Sequence, residues 1–212
     1  MNTTRKGFLN GLLAAGVAPT LVPSSVLGAN APSNKFTLGA IGIGARGHGD
    51  LVGFLGNPNV RVVALADCNQ QRFKRALKTV SNFYGPKHGV RTTPEFRDIC
   101  TAKDIDAVMV TTNLHWHPYI TLCAIQNGKH VFQEKPVAPS AEEGRLIVEA
   151  AKKKGVVLQI GFNRRAEQNF RWAAELALNG ELGEIKEVIC STVGNRHWAH
   201  LPEEPVPERL LF

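Results

Sequence analysis

Apolar and polar positions fall into blocks along this chain, and the blocks repeat in one order. An apolar run starting at Phe36 ends in Gly42-x-Gly44-x-x-Gly47, and a second, over 60–66, ends at Asp67. Shorter runs follow at 90–93, 107–112, 129–133 and 156–161. Continuous apolar runs of this length, without strict alternation, read as strands buried on both faces of a parallel sheet. Stretches of helical period separate them. One runs from Gly47 to about Leu55 and stops at Gly56-Asn57-Pro58, and one after Asp67 carries Arg72, Arg75 and Lys78 on its polar face and ends before Gly85-Pro86. Pro94 is expected to open the next at its first turn, and 117–127 closes at Gly128. Ser140 with Glu143 forms a capping box for a helix that runs to Lys154-Gly155. Strand–helix alternation predicts the α/β class: a doubly wound, Rossmann-type parallel sheet with helices on both faces.

The first strand and its glycines carry the first chemical signal. Gly42 makes the tight turn, Gly44 lets backbone approach a pyrophosphate, and Gly47 lets the helix pack close to the strand. The anion site is backbone: the segment Gly42, Ile43, Gly44, Ala45, Arg46 and Gly47 offers N–H groups at a helix start, where the dipole favours negative charge. Asp67 ends the second strand about 20 residues further on, as a ribose-binding carboxylate does. It would accept bonds from ribose hydroxyls and repel a 2′-phosphate, which favours NAD, with NADP as the alternative. The same position also suits an N-cap for the following helix.

Ligands of open parallel sheets sit beyond the carboxyl ends of the strands. Thr111-Thr112-Asn113-Leu114-His115-Trp116-His117 follows one strand and Glu134-Lys135-Pro136 another, so both are expected beside the glycines. A Lys before proline is held out of the helical region and projects from the strand end, suited to proton transfer or to polarising a hydroxyl. Taken alone, Lys135 also reads as a surface lysine, and His115 and His117 as imidazoles at a helix start.

Composition changes this picture little. The 212 residues are 43% hydrophobic and 20% charged, an ordinary globular balance. The net charge of +7 is spread over scattered Lys and Arg with no nucleic-acid-binding pattern, so no nucleic-acid partner is expected. The four cysteines, Cys68, Cys100, Cys123 and Cys190, lack metal-ligand spacing and read as free thiols, with no metal expected. Residues 1–31 look like an export signal: Arg5-Lys6, then a mildly apolar segment from Leu12 to Val22, then small residues. Arg5-Lys6-x-Phe8-Leu9 resembles a twin-arginine signal with Lys in second place. The apolar segment is too short for a stable membrane anchor.

The glycine motif, the strand-end Asp, IDAVMVTTNLHWHPYITLCAIQNGKHVFQEKP and IGFNRR together resemble the Gfo/Idh/MocA family of NAD(P)-dependent oxidoreductases. The resemblance spans Lys35 to Phe212, and its most specific piece is GKHVFQEKP. It implies that Lys135 contacts substrate and nicotinamide, that Glu134 lies by the nicotinamide ribose, and that the Lys135–Pro136 bond is cis. It further implies that Thr111, Thr112 and His117 line the cofactor cleft and that Arg165 sits at a domain junction, within reach of substrate. One departure stands out: Thr112-Asn113-Leu114-His115-Trp116-His117 occupies the place of the family's Thr-Pro-Asp/Asn-His-x-His.

These readings divide the chain into the signal at 1–31, a nucleotide-binding domain at 35–161, and, at 162–212, the incomplete beginning of an α+β substrate and oligomerisation domain. A His acting with Lys135 is expected from beyond residue 212, and a homo-oligomer is expected for a full-length protein. The leading expectation is an exported, periplasmic NAD(P)-dependent oxidoreductase acting on a sugar, polyol or glycoside. The alternatives are an NAD-dependent glycoside hydrolase of the same superfamily, or an inactive nucleotide-binding module.

Overall fold

The computed structural model describes residues 34–189. The chain divides into two units, Met1–Lys35 and Phe36–Phe212, and every element below belongs to the second. The expected export signal and Cys190 lie outside the described residues.

The order is β1 (Phe36–Ile41), α1 (Ala45–Leu55), β2 (Val60–Ala66), α2 (Gln71–Tyr84), β3 (Arg91–Thr93), α3 (Phe96–Thr101), β4 (Ala107–Val110), a 3-10 turn (Leu114–Trp116), α4 (His117–Gln126), β5 (His130–Glu134), α5 (Ala141–Lys154), β6 (Leu158–Gly161), α6 (Asn163–Ala166) and α7 (Gln168–Leu178). The six strands form one sheet in the order β3-β2-β1-β4-β5-β6, all pairs parallel. The order reverses between β1 and β4, so the crossover helices leave a crevice there at the carboxyl ends of the strands. This is the expected doubly wound Rossmann architecture.

Each face of the sheet has its own apolar layer. On one face α1 and α2 bring Leu51, Leu55, Ala76 and Val80 onto Leu38, Ala40, Val62, Leu65 and Met109. On the other α3, α4 and α5 bring Ile99, Ile120, Ala124, Ile125, Ile147 and Ala151 onto Ile41, Ala64, Ala66, Val108, Val110 and Val131. Each such Leu or Ile, fully buried, contributes about 1.5–3 kcal/mol. One local feature decides what the site receives: the β1–β2 register shifts between Leu38 and Gly39, which pair with Val62 and Ala64. The extra residue, Val63, exchanges the faces of everything after it, because side chains alternate with period two. Leu65 thereby returns to the α1–α2 layer, and Asp67, two positions on, faces the same way.

Element ends differ from the sequence expectations where side chains compete for the backbone. Pro94 stays outside α3; Glu95 has extended backbone and its carboxylate accepts from Arg97 N at 3.0 Å, so the helix starts at Phe96. Strand β4 stops at Val110, because the Thr111 hydroxyl turns back to donate to the carbonyls of Ile41 and Gly42. Lys129 lies before β5: it is 7% exposed, and its ammonium donates to the carbonyl oxygens of Ile105 at 2.7 Å and Ala102 at 2.5 Å. The capping box on α5 forms as expected, with Ser140 and Glu143 each bonding the other's backbone, and Gly155 ends the helix in the left-handed conformation. Cys68, Cys100 and Cys123 are free thiols, and burial pushes that of Cys100 well above its ordinary range. Helix α7 buries none of its residues, and Trp172 on it is 65% exposed. Among the described residues no helix is long and apolar enough to cross a membrane, and no group of His, Cys, Asp or Glu could hold a metal ion.

Candidate functional site

The strand registers bring the expected chemistry to one edge of the sheet. Ile41 pairs with Ala66 on one side and Val110 on the other, Val110 pairs with Gln133, and Glu134 pairs with Gly161. Gly42, Asp67, Thr111, Glu134 and Lys135 therefore emerge side by side at the crevice.

The glycine turn has the form an anion site needs. Gly42 sits at φ 82°, a conformation that side chains rarely adopt, and its N–H donates to the Ala66 carbonyl at 2.8 Å. A Cβ on Gly47 would drive into the carbonyl of Gly42 and the Thr111 hydroxyl, so only glycine lets α1 approach the sheet. Gly44 caps α1 with no side chain, and the first turn carries no acidic residue. Beyond its own chain neighbours, a Cβ there would first meet the Arg72 guanidinium, at 3.4 Å or more. The first turn of the helix is thus uncapped by side chains and carries no acidic residue of its own, which fits a dinucleotide pyrophosphate.

Asp67 is 5% exposed and partly committed. Its Oδ2 accepts from Ile43 N at 2.8 Å, tying the strand end to the glycine turn, and its Oδ1 accepts from Asn69 N at 2.9 Å. Arg72 Nη1 lies 3.2 and 3.1 Å from the two oxygens. The cap of α2 is Gln70, so Asp67 serves the turn into that helix rather than capping it.

At the other end of the crevice Glu134 is 4% exposed and held on both oxygens: Oε1 accepts from Arg46 Nε at 2.7 Å, and Oε2 from Lys135 N at 2.9 Å. Arg46 also pairs with Asp50 at 2.8 Å, one turn further along α1. It therefore reaches from the glycine motif across the end of β4 to β5. Asp50 escaped the sequence reading, although the Arg46-x-x-x-Asp50 spacing on α1 was legible as a helical pair. Its Oδ2 is buried without a hydrogen-bond partner among the described residues. Burial pushes the Asp50 carboxyl up from its ordinary value, Arg46 pulls it down, and the charge of Glu134 pushes it up again.

Lys135 projects beyond the strand end as expected. It is exposed, the bond to Pro136 is cis, and its ammonium makes no hydrogen bond among the described residues. His117, by contrast, is buried at 2% exposure, its Nδ1 2.7 Å from the Pro136 carbonyl and its Nε2 3.1 Å from that of Thr112. It ties the loop after β4 to the turn after β5. Gln133 works beside it: its amide donates to the Val137 carbonyl at 2.8 Å, while its Oε1 accepts from Thr121 at 2.7 Å. Thr112 Oγ1 is buried with no hydrogen-bond partner among the described residues, a polar atom left for a ligand or water. Arg165 lies apart from the glycines, on an open cleft of about 530 Å³ shared with Gln159, Phe162 and Ala166 beyond β6.

The family model "Oxidoreductase family, NAD-binding Rossmann fold" (GFO_IDH_MocA) matches residues 36–162. Among curated relatives, "Glycosyl hydrolase family 109 protein 1" of Shewanella sp. (strain MR-4) is 33% identical over 191 residues, covering 87% of this chain and 41% of the relative. "Uncharacterized oxidoreductase YrbE" of Bacillus subtilis (strain 168) is 30% identical over 152 residues, 71% of this chain and 42% of the relative. The chain thus spans about two fifths of the length of these relatives. A crystal structure of scyllo-inositol dehydrogenase from Lactobacillus casei with bound NAD(H) and scyllo-inositol shares the fold, with a TM-score of 0.62 at 24% identity over 71% of this chain and 43% of that one.

Proposed function

Because the chain belongs to the Gfo/Idh/MocA family of NAD-binding oxidoreductases, we propose that it is the nucleotide-binding part of an exported enzyme that moves a hydride between NAD and a hydroxyl-bearing carbon of a sugar, polyol or glycoside. One observation carries this reading: the glycine turn, Asp67, Thr112 and the Glu134–Lys135 pair converge at the ends of adjacent parallel strands. When bound, the nicotinamide supplies the hydride acceptor or donor.

The chain's own residues do the rest. The turn over Gly42–Gly47 holds the pyrophosphate on backbone N–H groups, and Asp67 orients the adenosine ribose. Arg46 fixes Glu134 in one position, where it would lie by the nicotinamide ribose. Lys135, whose Nζ makes no hydrogen bond among the described residues, binds the substrate hydroxyl oxygen; as the neutral amine it takes the hydroxyl proton when the substrate is oxidised, and as the ammonium it returns that proton in the reverse direction, while His117 holds the Lys-Pro turn that aims it. Arg165 binds substrate from the cleft beyond β6. A partner His in the rest of the enzyme, export by the N-terminal signal, and assembly as a homo-oligomer belong to the same proposal.

A second reading has a specific observation behind it: the glycosyl hydrolase family 109 relatives match 87% of this chain. In that reading a transient oxidation of the sugar permits elimination of the aglycone, and the cofactor returns to its starting state. Incubation of the whole enzyme with NAD and a panel of polyols and aryl glycosides decides between them. Net NADH accumulation supports the oxidoreductase, release of aglycone without NADH supports the hydrolase, and neither product on any substrate would sink both.

A further inference from the structure

The adenosine end of the crevice holds an arginine that its second-strand carboxylate would not lead one to expect. Arg72, on the first turn of α2, meets Asp67 through Nη1 alone, at 3.2 and 3.1 Å. Its guanidinium extends from there toward the glycine turn, with Nη1, Cζ and Nη2 lying 3.4, 3.5 and 3.9 Å from the position a Cβ would take on Gly44. The group therefore bridges the two features between which a dinucleotide places its adenosine ribose. Its side chain is 45% exposed, whereas that of Asp67 is 2% exposed, so the arginine is the movable member of the pair and the carboxylate the fixed one.

Asp67 has little capacity left as it stands. A carboxylate offers about four lone-pair sites. Ile43 N and Asn69 N take one on each oxygen, and Arg72 leans on what remains. A ribose 2′-hydroxyl must share or displace that contact. A 2′-phosphate meets different chemistry. It carries about −1.5 to −2 charge. Asp67 alone would repel it, but Arg72 cancels that charge at close range. A guanidinium has five N–H donors, and among the described residues Arg72 donates only through Nη1, so Nη2 and Nε remain to meet phosphate oxygens.

We propose that Arg72 sets the choice between NAD and NADP: by neutralising Asp67 and offering its unused donors to a 2′-phosphate, it lets this chain accept NADP as well as NAD. The inference rests on the dinucleotide reading of the same site. Titration of the chain with NADH and with NADPH, each followed by nicotinamide fluorescence, tests it in wild type, Arg72→Ala and Arg72→Lys. Both nucleotides should bind the wild type. Arg72→Ala should weaken NADPH at least tenfold while changing NADH less than about threefold, and Arg72→Lys, which keeps the charge, should recover most of the NADPH affinity. Equal changes in the two nucleotides, or none, would overturn the proposal while leaving the dinucleotide site intact. Binding of neither nucleotide by the wild type would sink the site reading and the proposal together. Thermal melts run alongside separate a loss of binding from a loss of fold.

Discussion

Gly44→Val would separate a phosphate-binding role of the glycine turn from its role as a turn, because the structure gives the new side chain room in the chain, whereas a bound pyrophosphate would need that same space. Gly44 has φ −64° and ψ −159°, extended backbone with a negative φ and so outside the left-handed region that favours glycine. Apart from its own chain neighbours, the atoms nearest the added Cβ are those of the flexible Arg72 guanidinium, at 3.4–3.9 Å. The cost to the fold is that of a poorer N-cap, under about 1 kcal/mol. That corresponds to a fall in melting temperature of roughly 2–4 °C for a chain of this size. Binding should suffer more, since a branched side chain at the helix start occupies the space in which the pyrophosphate meets the N–H groups. We expect NADH affinity to fall more than tenfold, about 1.4 kcal/mol. Gly47→Ala provides the contrast: its methyl would collide with the Gly42 carbonyl and the Thr111 hydroxyl, an overpacking that costs about 1–3 kcal/mol of stability before any ligand is added. Fluorescence titration with NADH and a thermal melt on wild type and both variants form the assay. Gly44→Val binding NADH within about threefold of wild type would refute the reasoning, because the glycines would then serve the turn and nothing more.

The other expectations are narrower. In the whole enzyme, Lys135→Ala should lower turnover by about 10²-fold or more while leaving cofactor affinity and melting temperature nearly unchanged, since the ammonium makes no hydrogen bond that the fold needs; steady-state kinetics with a parallel NADH titration checks this, and a change in turnover below about threefold would return the residue to the ordinary surface. Asp106 accepts from Thr37 N and Thr37 Oγ1, each at 2.8 Å, and these bonds hold its carboxyl below the ordinary value of 3.8. Its contribution to stability is therefore complete above that value and is lost as pH falls through the lower, folded one. Asp106→Asn should accordingly flatten the decline in stability on acidification in denaturant melts below about pH 4, and an unchanged pH slope would count against it.

Much of the fold was legible because its signals are local. The apolar runs gave the strands and their parallel class, the Ser140–Glu143 spacing gave a capping box that forms as expected, and Gly42-x-Gly44-x-x-Gly47 marked the turn whose backbone requires glycine. The strand ends likewise pointed to Asp67, Glu134 and Lys135, since a residue's place at the end of a buried run is visible in one dimension. Element ends were less legible. Pro94 suggested a helix start, but the carboxylate of Glu95 took the cap and moved it on.

What the sequence could not determine is which way side chains face and whom they meet across the sheet. The register shift at Val63 puts Asp67 on the α1–α2 face, and no local pattern announces it, because the shift exists only in the pairing of β2 with β1. Arg46 pairing with Glu134 and Arg72 with Asp67 join residues from different elements, brought together by the strand order and the crossover helices. His117 read from sequence as a cleft residue, and packing buried it as a tie between the two loops that flank the crevice. Local chemistry thus chose the elements and marked the strand ends, whereas long-range pairing decided which charges neighbour one another, because electrostatic and hydrogen-bond partners are set by distance in space and not along the chain.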